Sequence, residues 1–443
     1  MKLSDPFSPD DADGTFRPIH FGVFLPPATG HINPMSALGR ALIKRGHRVT
    51  VFQVPDLRAR ILKQGLEFQA VGAGDYPAGE LERWTTMLGT MTGIRGIRHS
   101  VEGGRRLAEI VCKRAPEIVR AANVQMLLID QNDPAAGAVA EHLGIPFVSI
   151  CTSLPLNREP DVPPPFVPWA YDRSRASRVR NWFGYCAADL AIAPLQNQVN
   201  DFRHRWRLPL LRTPDDSFSK LATLSQTVDD FDFPRKHRPE NFHAVGPFLD
   251  AQLDDVPFDW SRLDGRPLVY ASLGTLQTRR ETLYRAMAEA CSGLNVQLVI
   301  SFGGAEPPAA HDWPGNPILV KYAPQMLLLK RARMMITHAG LNTVLHCLSL
   351  GVPMVAMPIT NDQPAIAARA KYTGAAEVLA PSQFTPAILG ACVKHVLSTD
   401  SYRASAERIS AAMRQSGGVT RGAELIEAVA FKHCASHLEA AHV

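Results

Sequence analysis

The chain has 443 residues, 46% of them hydrophobic and 20% charged, with a net charge of +5. That is enough apolar material for two or three buried cores, and too little charge to argue for disorder or, on charge alone, for nucleic-acid binding. No apolar run approaches the roughly 18 residues needed to span a bilayer. The residues before Arg17 are polar, rich in acids and prolines, without the basic start and apolar stretch of a secretory signal, and read as a tail. Seven scattered cysteines, none in a Cys-x-x-Cys spacing, are expected to be reduced thiols in a cytosolic protein.

From Pro18 the chain alternates. Ile19–Leu25 predicts a strand, and Asn33 is placed to cap a helix starting at Pro34, with Met35, Leu38, Ala41 and Leu42 at helical spacing and Gly46 at its end. Strands are then predicted at Arg48–Val54, Leu66–Val71, Val124–Asp130 and Pro146–Cys151, with helices at Asp56–Gln64, Arg105–Ala121 and Pro134–Leu143. Between Ser153 and Pro247 the pattern turns irregular and proline-rich, with Trp169, Trp182 and Trp206 among many arginines. A second alternating series follows, with strands at Leu268–Leu273, Gln297–Phe302, Ile318–Lys321, Met334–Thr337 and Met354–Pro358. The fold class is therefore α/β: a tail (1–16), a doubly wound domain (17–249), a polar, Asp-rich linker (250–266) and a second doubly wound domain (267–443), facing each other across a cleft.

Chemistry is concentrated at strand ends. His31, in the loop Pro26–Pro34 after the first strand, can take the proton of an attacking hydroxyl, and Asp130, ending another strand of the same sheet, can hold the far ring nitrogen. The plain alternative is that each caps a helix. In the second half, Thr337-His338-Ala339-Gly340-Leu341-Asn342-Thr343 joins a strand to a helix, so the backbone N–H groups of Gly340–Thr343 can bind phosphate, helped by His338 and the Thr343 hydroxyl. Ser272, in the run Ala271–Thr275, is placed to face the same phosphates. Tyr322 and Gln325 offer a ring face and an amide to a base, while Asp362 and Gln363 can grip sugar hydroxyls.

Taken together, Tyr322–Gln363 resembles the donor-binding signature of the UDP-glycosyltransferase superfamily (glycosyltransferase family 1, GT-B fold), and the resemblance extends over nearly the whole chain. It implies His31 as base, Asp130 as its orienting carboxylate, and a donor site of Ser272, Thr275, Tyr322, Gln325, His338, Gly340, Asn342, Thr343, His346, Asp362 and Gln363. Gly30, Ser153, Leu154 and Trp169 are the expected acceptor contacts. It further implies an acceptor-binding first domain, a nucleotide-sugar-binding second domain, and inverting transfer from UDP-glucose with no metal or cofactor. It leaves open whether the last helix crosses back onto the first domain. Position 346 departs from the pattern: the family places an acidic residue there to take the ribose hydroxyls, and an imidazole cannot chelate both.

The stretches Leu154–Asp161, Asp232–Lys236, Phe242–Pro247 and Ala271–Gln277 look like those of bacterial zeaxanthin glucosyltransferases. The first expectation for the acceptor is therefore a hydroxylated carotenoid. A permissive enzyme for flavonoids, phenols or macrolides, a nucleotide-sugar epimerase and a non-catalytic nucleotide-sugar binding protein stand as alternatives. Asp230-x-Asp232 has the spacing of a metal-binding pair but lies in an irregular stretch and reads as loop. The arginines at 173, 175, 178 and 180 before Trp182-Phe183, and at 203, 205 and 207 around Trp206, read either as solvated helix faces or as a contact with the anionic inner face of the membrane. No nucleic-acid partner is expected, and the oligomeric state is left open.

Overall fold

A computed structural model describes residues 18–91, 93–249, 256–276, 280–308 and 313–439. The tail expected at 1–16 and the first part of the expected linker, 250–255, lie outside the described residues. The first domain runs β1 (His20–Phe24), α1 (Thr29–Lys44), β2 (Arg48–Gln53), α2 (Arg58–Lys63), β3 (Glu67–Ala70), α3 (Glu80–Thr90), α4 (Gly93–Ala121), β4 (Met126–Asp130), α5 (Pro134–Leu143), β5 (Phe147–Cys151), α6 (Arg175–Arg205), β6 (Thr223–Ser225) and β7 (Phe242–Ala244). The second runs β8 (Leu268–Ser272), α7 (Glu281–Ser292), β9 (Gln297–Ser301), β10 (Ile318–Val320), α8 (Gln325–Leu329), β11 (Ala332–Thr337), α9 (Leu341–Ser349), β12 (Met354–Ala356), α10 (Gln363–Tyr372), β13 (Ala376–Val378), α11 (Pro386–Ser398) and α12 (Asp400–Ser416), followed by α13 (Gly418–Glu439).

Both sheets are parallel throughout, as the alternation requires. Their orders are β3-β2-β1-β4-β5-β6-β7 and β10-β9-β8-β11-β12-β13. In each, the order reverses between two neighbouring strands, β1 and β4 in the first and β8 and β11 in the second, which opens a crevice at their carboxyl ends. Strands β1, β4 and β5 are buried along their whole length because helices cover both faces.

Local rules set several boundaries. Asp133 caps α5 by accepting from Ala136 N, Pro134 follows at the first helical position, and Gly144 ends the helix at φ 67°. Asp130 is thereby relieved of the capping role that was its alternative reading. Other boundaries differ from expectation. Helix α1 starts at Thr29 rather than Pro34, so His31 lies in its first turn and not in a loop. The helix expected from Arg105 begins at Gly93, and α3 and α6 occupy stretches with no buried apolar stripe to reveal them.

Helix α13 returns to the first domain. Its Ala423, Ile426, Ala430 and Cys434 are buried in the same core as Leu38 and Leu42 of α1, and Glu427 accepts from Arg45 and from His47 Nε2 at 2.9 Å. A second tie between domains is ionic. Asp232 accepts from Arg369 Nε at 2.6 Å and Arg235 Nε at 2.7 Å, all three side chains being buried, and the Arg369 guanidinium also stacks over Phe233 at 4.4 Å. The Asp230-x-Asp232 pair is thus spent on salt bridges, Asp230 reaching Arg408 at 3.2 Å. Among the described residues no helix is long and apolar enough to cross a membrane.

Candidate active site

The two reversal points face each other. In the first sheet Phe24 pairs with Ile129, so Leu25, just past β1, stands beside Asp130, the last residue of β4, which still pairs with Ile150 of β5. Asp130 is fully buried, and its Oδ2 lies 2.8 Å from His31 Nδ1, while its Oδ1 accepts from Asn132 N at 2.9 Å and Asn132 Nδ2 at 3.0 Å. The Thr152 hydroxyl also donates to Oδ2. With Nδ1 held by a carboxylate, Nε2 is the ring's free edge, and the side chain is 21% exposed. Burial opposes charging the imidazole, but the Asp130 carboxylate, its hydrogen bond and the more distant Asp362 outweigh it and raise the His31 pKa above the usual value. Burial alone would raise Asp130, and the His31 partnership with the hydrogen bonds brings it down instead.

In the second sheet Thr337 pairs with Ser272, which brings the β8 and β11 exits together. Gly340 caps α9, whose first-turn N–H groups open into the crevice. His338 sits behind them, its pKa pushed down to about 4 by burial that a Ser272 backbone hydrogen bond offsets only in part, and its Nδ1 has no protein partner. The ring is fitted between two glycines. A Cβ on Gly340 would stand 2.5 Å from Nε2, and one on Gly274, itself at φ +73°, would stand 2.7 Å from Cε1. Ala339, between His338 and Gly340, adopts φ 64°, a strained conformation of the kind found where surrounding structure dictates the backbone.

The crevice is bridged by one side chain with a definite origin. Pro34 lies inside α1 and has no N–H, so the Gly30 carbonyl, its helical partner four residues back, is left without an intrahelical bond. Asn342 Nδ2 from α9 donates to that carbonyl at 2.9 Å, while its Oδ1 accepts from Gln226 Nε2 at 3.0 Å. The Asn342 amide therefore ties the domains together where it was expected to hold phosphate, and Gly30, expected to touch the acceptor, supplies the anchor.

The other expected residues divide. Asp362 stands at the start of α10, its carboxyl raised by burial and partly lowered by His31. Gln363 Oε1 accepts from Ile359 N and Thr360 N at 2.9 and 3.0 Å, which fixes the loop and leaves its NH2 free to donate. Tyr322 is 49% exposed, and a Cβ on Gly304 would lie 2.4 Å from its hydroxyl oxygen. Ser272 Oγ accepts from Gly274 N at 3.2 Å, and Thr275 is exposed beyond it. His346 Nδ1 accepts from Gln325 Nε2 at 2.7 Å, and burial lowers its pKa to about 4; the neutral ring presents an N–H where an acid would present oxygens.

Ser153 Oγ accepts from Gln131 and Asn132 close to Asp130, at the expected acceptor side. Leu154 does not line that side. It is buried in a core shared with Val228 and residues of the second domain, because the chain after β5 dives between the domains. Trp169 packs against Gly184 of α6 and lies under the Arg180 guanidinium at 4.9 Å.

Asn132 and Thr152 beside Asp130 and Gln226 beside Asn342 escaped the sequence reading, and so did a cation on α2. Arg60 of α2 donates to Thr29 Oγ1 at 3.0 Å and Asn33 Oδ1 at 3.3 Å, and it has no carboxylate partner among the described residues. Burial lowers its pKa and Tyr322, across the crevice, raises it. A single arginine on a short helix carries no sequence signal; the sign was available only in the acid-free stretch Leu57–Gln64. Among the described residues no three His, Cys, Asp or Glu side chains come together to hold a metal.

Two parallel six- and seven-stranded sheets with their reversal points across a crevice define a GT-B glycosyltransferase fold. The crystal structure of the glycotransferase of kitacinnamycin superposes with a TM-score of 0.74, at 22% identity over 93% of this chain and 99% of that one. The profile described as "UDP-glucoronosyl and UDP-glucosyl transferase" matches residues 24–441, and the chain belongs to that family. The zeaxanthin glucosyltransferase of Pantoea ananas is 31% identical over 415 residues, 93% of this chain and 96% of that protein. That of Pseudescherichia vulneris is 31% identical over 418 residues, 92% of this chain and 97% of that protein. The chain is thus a glycosyltransferase enzyme, with a nucleotide-sugar donor and a small-molecule acceptor, and not the non-catalytic binder that was the alternative.

Proposed function

We propose that the enzyme transfers glucose from UDP-glucose, with inversion and without a metal, to a hydroxyl of a lipophilic acceptor, a hydroxylated carotenoid such as zeaxanthin being the first choice. The observation that carries the chemistry is the 2.8 Å His31–Asp130 bond set directly beside the Asn342–Gly30 bridge to the phosphate cradle. The free Nε2 of His31 takes the acceptor proton as the oxygen attacks the anomeric carbon, and Asp130 stabilises the imidazolium that forms. The bond to the diphosphate breaks on the opposite face. The departing charge meets the α9 amides, the neutral His338 ring and the Arg60 cation, which together replace a metal.

The Asp362 carboxylate and the free Gln363 amide group are placed to hold the sugar hydroxyls, and Tyr322 to stack on the base. The two zeaxanthin glucosyltransferases support the acceptor class, since each aligns with more than nine-tenths of this chain. The test is incubation with UDP-glucose and zeaxanthin, or a flavonoid in its place, followed by mass analysis. Mono- and diglucosides of zeaxanthin are the expected products. Glucosylation of the flavonoid alone would replace the carotenoid with a phenolic acceptor, and donor consumption with no acceptor present would point to epimerisation or hydrolysis.

A further inference from the structure

Helix α6 carries an apolar stripe on the wrong side. Val179, Trp182, Phe183, Cys186 and Leu190 recur at the spacing that normally faces a core, yet all five are exposed, Trp182 by 60%, Phe183 by 61% and Leu190 by 79%. Helix α4 runs alongside: a Cβ on Gly104 would meet Leu195 at 3.7 Å, and Arg105 Nη1 donates to Gln198 at 3.1 Å. The leading turns of α4 therefore add to the same surface, and there Ile94 and Ile97 are exposed as well.

The charge around this patch is mostly positive, the flanking acids being Asp172, which accepts from the Ser174 and Ser177 hydroxyls, and Asp189, which is paired with Arg158. Residues 93–100 and 173–188 contain Arg95, Arg98, Arg173, Arg175, Arg178 and Arg180 and no acid. Arg173 and Arg178 share Asp161, whereas Arg95, Arg98 and Arg175 make no ion pair among the described residues. The patch also borders the crevice: a Cβ on Gly89, at the end of α3 just before α4, would stand 2.5 Å from the Leu276 carbonyl beside Thr275.

We propose that this face of α4 and α6 docks on an anionic lipid bilayer. Exposed tryptophan, phenylalanine and aliphatic side chains insert at the headgroup boundary, and unpaired arginines draw them there. A second copy of the chain is the poorer occupant, because two such faces would bring like charge against like charge. The proposal does not depend on the identity of the acceptor, though a lipophilic acceptor would be collected at this rim.

The full chain is to be floated with vesicles of phosphatidylcholine alone and with an equal mixture of phosphatidylcholine and phosphatidylglycerol. Recovery should be at least tenfold higher with the anionic mixture, and both Trp182→Ser/Phe183→Ser and Arg95→Glu/Arg175→Glu should lose that gain while keeping the parent's thermal midpoint. Equal recovery on the two vesicle types, or undiminished flotation of the Trp182/Phe183 variant, would overturn the proposal. So would a dimer in solution that the same pair of substitutions turns into monomer, which would give the face to a second copy. None of these readouts involves turnover, so the docking surface and the proposed reaction fail separately.

Discussion

Each sheet places a histidine at its point of reversal, and the two rings are tuned in opposite directions. His31 shares a hydrogen bond with a buried carboxylate and is raised in pKa, while His338 lies between two glycines with no acid nearby and is pushed down to about 4. The same topological corner therefore holds a carboxylate-paired imidazole in one domain and an imidazole that burial keeps from charging in the other. What decides is the neighbouring strand: β4 ends in Asp130, and β8 ends in Ser272.

The contrast can be broken from either side. Replacing His31 with alanine should lower kcat by about 10³-fold while the dissociation constant for UDP-glucose, measured by calorimetry, stays within about twofold. Asp130→Asn should cost about 10²-fold and also move the acidic limb of the kcat profile. The wild-type limb should lie above the ordinary histidine value, because His31 must lose its proton to act; without the carboxylate, burial should dominate and the limb should shift to lower pH. A limb that stays in place would remove Asp130 from its positioning role.

Smaller effects belong to the donor side. Gly340→Ala forces the His338 ring aside and should weaken UDP-glucose binding by about 30-fold, an overpacking cost of about 2 kcal/mol, with no change in the pH limb. Arg60→Ala should lower kcat/KM about five- to tenfold, with part of the loss in kcat because Arg60 faces the charge that grows on the leaving diphosphate, and the gap between parent and variant should narrow as salt is added. Pro34→Ala restores an N–H that competes with Asn342 for the Gly30 carbonyl, and a two- to threefold rise in donor KM is expected.

The long apolar strands and the ordered motif from Tyr322 to Gln363 made the two sheets and most of the candidate site legible before any coordinates. Elements that escaped did so for physical reasons. Strands β6, β7 and β13 have three residues each, too few to show a period. Helix α6 turns its apolar stripe to solvent, and its arginines read as irregular surface. Pro34 was taken as a helix start because proline favours that position, but in the structure it sits a full turn inside α1, where its missing N–H serves the interdomain bridge. Leu154 was expected at the acceptor; burial between the domains is invisible without the second sheet. Arg60 and the cross-cleft role of Asn342 depend on contacts between residues far apart in sequence.

The return of α13 to the first domain places two strands of backbone at one pivot. The chain leaves the first domain after Leu249, and it re-enters where Gly418 N donates to Val245 O at 2.7 Å and Gly246, at φ +85°, lies so close to Ser416 that a Cβ there would stand 2.0 Å from its Oγ. Severing either strand alone would leave both halves attached at the same point. Any swing about that double pivot displaces the distant rim, where Gly89 meets Leu276, more than the Asn342–Gly30 latch beside it.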